Sequence, residues 1–199
     1  MTTALDPGPT ESRSARLITD GLDPKTWIIL DTLLIGWHTA GLAGIGWGLL
    51  GCLFAAVIPL AFIKYGIRRG RWADRHVGQR QQRIVVMVFI IGSVATGIVL
   101  MALLGSPRTM IALIAAMLVT LAALLAVTPA WKISVHAAVS SGSVAMLAMT
   151  YGPWLLLAYP LVAVVGWSRV ELKDHTLAQV IAGAAVGAAM AATTFGLVR

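Results

Sequence analysis

A chain of 199 residues that is 58% hydrophobic and only 12% charged cannot clothe an ordinary soluble surface. With a mean hydropathy of +0.86 and a formal net charge of +7, it reads as an integral membrane protein of one domain that carries surplus cations. Its single cysteine, Cys52, excludes an internal disulfide and a cysteine metal site, and reads as a small buried hydrophobe.

Residues 1–26 hold Asp6, Pro7, Pro9, Glu11, Arg13 and Arg16 with little apolar periodicity, which predicts a disordered cytoplasmic tail. No basic start leads directly into an apolar run, so the segment does not have the form of a secretory signal. Residues 27–199 form the transmembrane domain. Residues 27–40 predict a short span or a tilted interfacial helix, and 42–63 a clear span. A basic loop follows over 64–83. Residues 84–104 and 109–128 predict a hairpin turned at Gly105-Ser106-Pro107-Arg108. A second hairpin, 133–150 and 154–167, turns at Tyr151-Gly152-Pro153, and the last span is 176–198. The expected fold is an all-α bundle of six to seven transmembrane helices. Trp27, Trp37, Trp131, Trp154 and Trp167 fall near predicted helix ends, where interfacial aromatics belong. Gly44/Gly48 and Gly183/Gly187 have the spacing of close helix packing.

The cations sort to one side. Lys64, Arg68, Arg69, Arg71, Arg75, Arg80 and Arg83 share the basic loop, and Lys132, Arg169 and Lys173 follow at intervals of two spans. The opposite side holds Arg108 and Arg199. The positive-inside rule makes the rich side cytoplasmic, in the cell membrane. Polar clusters distant in sequence thus converge at helix ends on one face, which suits an anionic headgroup.

Two clusters carry chemistry. In WKISVHAAVSSG, 131–142, Lys132, Ser134 and His136 open a helix whose N-terminal amides and dipole favour an anion. Lys132 adds charge, Ser134 a donor, and His136 a transferable proton. In SRVELKDHTLAQ, 168–179, Arg169 can fork onto two phosphate oxygens. Gln179 lies one helical turn from His175, where its side chain can hold the imidazole in one tautomer and leave the other nitrogen free to attack. Asp31 within an apolar run is a further candidate. No Walker loop, dinucleotide fingerprint, paired carboxylates or zinc spacing occurs, and a short membrane-tethered basic loop does not suit nucleic acid.

These stretches resemble the type 2 phosphatidic acid phosphatase superfamily. SRVELKDHTLAQVIAG resembles its third signature, S-R-x5-H-x3-D, and ISVHA its second, P-S-G-H-A, with one hairpin between them. The resemblance covers roughly residues 84–198 and implies a six-helix membrane core. It implies that His175 attacks phosphorus to form a phosphohistidine and that His136 protonates the leaving alcohol. Ser168, Arg169, Ser134, Lys132 and the first-signature cations would then hold the phosphoryl oxygens, with no metal. Ile133 and Val135 stand in place of the family's proline and glycine. Gln179 stands in place of its aspartate, and it can orient the histidine but cannot stabilise its positive charge. Asp174, Glu171 and Asp31 are the carboxylates available to substitute. Lys64 and Arg71 have the K-x6-R spacing of the first signature, with Trp72 replacing its proline; Arg75, Arg80 and Arg83, grouped by Asp74, are the favoured phosphate-facing set.

The resulting expectation is a membrane hydrolase acting on a lipid or isoprenoid phosphate or diphosphate. Two alternatives stand beside it. One is a terpene cyclase or prenyl transferase that ionises a prenyl diphosphate in the same pocket with Mg2+. The other is a non-catalytic lipid-phosphate binder or transporter.

Overall fold

The computed structural model describes residues 12–70 and 80–199. Arg71, Asp74 and Arg75 lie outside the described residues, and so does the side chain of Arg80. The described residues are helical, with no strand among them. Five helical runs are long and apolar enough to cross a membrane: Arg13–Arg68, Gln81–Leu103, Arg108–Val127, Pro153–Glu171 and Leu177–Val198. Large side chains such as Leu42, Leu103, Leu157 and Leu197 are turned outward, as a lipid-facing surface requires.

The first run is not one rod. A short helix, α1 (Arg13–Gly21), is capped by the Ser12 hydroxyl on the Ala15 amide. Next, α2 (Pro24–Cys52) starts with Asp23 as its cap and proline in its first turn. At Ala40 and Gly41 the backbone leaves helical geometry, and Gly41 takes φ +56°, a region that favours glycine. The chain reverses there. A Cβ on Gly44 would run into the Gly36 carbonyl, and one on Gly48 into the Thr32 carbonyl. Those pairs are symmetric about Ala40, so 24–39 and 42–52 lie antiparallel with their backbones in contact. The expected short span over 27–40 is therefore the first limb of a tight helical hairpin. The second limb continues through a π-type segment, Leu53–Val57, into α3 (Ile58–Arg68). The Phe54 carbonyl there accepts from Ser93 Oγ at 2.7 Å.

The remaining helices are α4 (Arg80–Leu103), α5 (Arg108–Val127), α6 (Val135–Tyr151), α7 (Tyr159–Glu171, entered through a 3-10 turn, Pro153–Ala158) and α8 (Leu177–Val198). Helix α6 is the most enclosed, with eleven of its 17 residues buried. It lies against α8 through small residues. A Cβ on Gly183 would meet the Ser134 carbonyl at 2.5 Å, and one on Gly187 would strike the Ala138 carbonyl. The Gly183/Gly187 spacing thus matches Ser134/Ala138 across the interface, and it brings the starts of α6 and α8 together.

Two expectations change. The disordered tail predicted for 1–26 gives way from Ser12 onward: α1 packs on α7, with Thr19 Oγ1 2.9 Å from Ser168 Oγ. Trp27 is buried against Val144 and Val162 rather than interfacial, because α2 begins three residues before it and turns it toward α6 and α7.

Candidate functional site

The polar ends of α1, α2, α4, α6, α7 and α8 meet around one cavity of about 440 Å³. Its mouth is lined by Arg16, Lys25, Arg83, Lys132, Arg169 and His175. Its interior is mostly apolar, with Ile63, Val86, Ile90, Met117, Leu121 and Met146 among the walls. A cationic mouth opening into a hydrocarbon-lined chamber is complementary to an anionic amphiphile.

His175 sits in the turn before α8 and is 8% exposed. Its Nδ1 lies 3.1 Å from the Lys132 carbonyl and 3.2 Å from Gln179 Oε1. A carbonyl can only accept, so Nδ1 carries the proton and Nε2 keeps its lone pair. Gln179 is fixed in turn, since its Oε1 also accepts from the Thr176 amide at 3.1 Å, within a reciprocal capping box at the start of α8. Burial lowers the His175 pKa from 6.5 to about 4, and the nearby guanidiniums of Arg83 and Arg169 push the same way. The bond to the Lys132 carbonyl opposes this shift and the Lys132 ammonium adds to it. At neutral pH the ring is uncharged, as a nitrogen nucleophile must be.

Arg169, 3% exposed, is held by two of its nitrogens: Nη2 lies 2.8 Å from Asp174 Oδ2, and Nη1 donates to Thr19 Oγ1 at 3.4 Å. Its Nε has no hydrogen-bond partner, which leaves one buried N–H to offer a ligand. Arg83 Nη2 donates to the Ile133 carbonyl at 2.6 Å, tying α4 to the turn before α6. His136, on the first turn of α6, also lines the cavity. Asp174 and Asp31 line it too, the latter deep within.

Five predicted site residues do not reach the cavity, and one of them, Gln179, meets it only through His175. The Ser134 hydroxyl caps α6, accepting from the Ala137 amide at 3.3 Å. Ser168 donates to the Val165 carbonyl at 2.7 Å and faces Thr19 of α1. A short hydroxyl side chain beside a helical backbone finds its partner locally. Lys64, in the middle of α3, and Glu171, the last residue of α7, are exposed and absent from the cavity wall. Conversely, Arg16, Asp23 and Lys25 line the mouth although they fall in the stretch read as tail. The sequence signal for them was Asp23-Pro24, a cap followed by a first-turn proline. Asp23 and Lys25 form an ion pair.

No protein-family model, no curated protein and no solved structure matches this chain.

Proposed function

We propose that this protein is a membrane lipid-phosphate phosphatase that works through a phosphohistidine. The observation that carries this reading is the neutral, tautomer-fixed His175 at the cationic mouth of an apolar cavity. In the proposed reaction the phosphoryl group rests among Arg169, Arg83 and Lys132, and the hydrocarbon enters the chamber. Nε2 of His175 attacks phosphorus and the ester P–O bond breaks. The leaving oxygen takes a proton from His136. Water then attacks the phosphohistidine, His136 accepts its proton, the P–N bond breaks, and inorganic phosphate leaves. Seven helical limbs cross the bilayer in this reading, counting both limbs of the α2 hairpin and α6, with the mouth on the cytoplasmic face of the cell membrane.

Gln179 favours a second reading, in which the pocket ionises a prenyl diphosphate without forming a phosphohistidine, because a neutral amide cannot stabilise the imidazolium. That chemistry calls for carboxylates on Mg2+, and the two carboxylates at the mouth are engaged, Asp23 by Lys25 and Asp174 by Arg169. The phosphatase reading makes no use of the ion. A third reading, lipid-phosphate binding without turnover, shares the pocket and differs only in product. The test is phosphate release from detergent-solubilised protein: the phosphatase reading expects release that His175→Ala abolishes.

A further inference from the structure

The cavity holds polar atoms the phosphatase chemistry does not use. Asp31 is completely buried, yet lines the cavity. Its Oδ2 accepts from Ser143 Oγ at 2.6 Å, while its Oδ1 has no hydrogen-bond partner. Thr120 of α5, 6% exposed, also lines the cavity with its Oγ1 unpartnered. Among the buried threonines of the described residues, Thr19, Thr32 and Thr128 each have a hydroxyl partner, so Thr120 stands apart. Thr39, Thr96, Thr128 and Thr150 each donate to the carbonyl four residues back, the ordinary outlet for a helical threonine. Buried polar groups without partners are costly, more so in a membrane, and two in one chamber call for a ligand that satisfies both.

Their depth is common. Asp31 lies seven residues from Pro24, Thr120 seven from Val127 and Ser143 eight from Val135, each counted from the mouth end of its helix. At 1.5 Å per residue all three sit about 10 to 12 Å inside the headgroup site.

We propose that Asp31, Ser143 and Thr120 form a second polar subsite, which selects lipid phosphates bearing a hydroxyl on the chain about 10 Å from phosphorus. This rests on the lipid-phosphate reading of the mouth. A hydroxyl is the group that fits both orphaned atoms, because it can donate to Asp31 Oδ1 and accept from Thr120 Oγ1 at once. A plain isoprenoid or saturated chain would leave both unmet.

The probes are two phosphonate analogues of lysophosphatidic acid, which resist hydrolysis. One carries a tetradecanoyl chain and the other a β-hydroxytetradecanoyl chain, whose hydroxyl lies roughly 10 Å from phosphorus when extended. Binding is titrated on the detergent-solubilised full chain. The wild type should bind the hydroxylated probe at least about tenfold more tightly, the size expected of a well-made buried hydrogen bond. Asp31→Leu and the isosteric Thr120→Val each remove one of the two bonds and should each cut the preference to about threefold or less. Thr120→Val keeps the question decidable if Asp31→Leu fails to fold. Equal affinity in the wild type, meaning the subsite holds only water, would overturn the proposal while leaving the headgroup reading intact. A preference that keeps its wild-type size in both variants would also overturn it. Binding of neither probe would overturn the lipid-phosphate reading and this subsite with it.

Discussion

His175 gives its Nδ1 proton toward Gln179 Oε1 at 3.2 Å, and that same oxygen caps the first turn of α8. The pairing gives the glutamine a structural reason to be there, because a capping box favours glutamine or glutamate at this position. It also leaves the histidine without a negative partner. Gln179→Glu keeps the reach and the cap and adds charge. An opposite charge at this range raises a histidine pKa by about one to three units. The variant should therefore raise the His175 pKa, read by NMR of the ring, and increase phosphate release about tenfold. A variant with unchanged pKa and turnover would count against the orienting role of Gln179.

The pH dependence has a definite sign. His175 has a folded pKa of about 4 against 6.5 in the unfolded chain. Between those values the unfolded state takes up a proton that the folded state does not, so stability falls as pH drops through that window. The contribution is on the order of 3 kcal/mol across the full shift. Thermal unfolding in detergent should show this loss for the wild type, and a clearly smaller one for His175→Ala.

Arg169 is buried with an unpaired Nε and is anchored to Asp174 and Thr19. Lysine keeps the charge but loses the fork and both anchors. Arg169→Lys should weaken lipid-phosphate binding by about tenfold to a hundredfold, the worth of one or two charge-assisted hydrogen bonds. Near wild-type affinity in a titration would show that this guanidinium does not meet the headgroup.

A Cβ at Gly187 would strike the Ala138 carbonyl, so the α6–α8 contact tolerates no side chain there. Gly187→Val should cost about 2 kcal/mol or more, as overpacking against backbone does, and should part His136 from His175. The check is a drop in melting temperature together with lost activity. An exposed control such as Ala178→Val should leave both intact.

Close packing at Gly183/Gly187 and the His175–Gln179 pair were legible in the sequence because each rests on a spacing of four, but the spacing did not name α6 as the helix that Gly183 and Gly187 meet. The reversal at Gly41 was harder to read, since the apolar run continues through it. The place of α1 was hidden for a different reason. Its hold on the bundle is Thr19 meeting Ser168, 149 residues away, and no local pattern encodes that contact. Asp31 stood out as a charge in an apolar run, but its partner Ser143, 112 residues on, did not. Ser134 and Ser168 were misplaced because a motif specifies residue type, whereas the local backbone decides where a short hydroxyl points.

The central claim is tested most directly by a turnover assay with phosphatidic acid and farnesyl diphosphate, on wild type and His175→Ala, with and without magnesium, following phosphate and organic products together. The account predicts inorganic phosphate from the wild type, indifferent to magnesium and lost in the variant. Pyrophosphate with a cyclised or transferred prenyl product, or no turnover by folded, monodisperse protein, would contradict it.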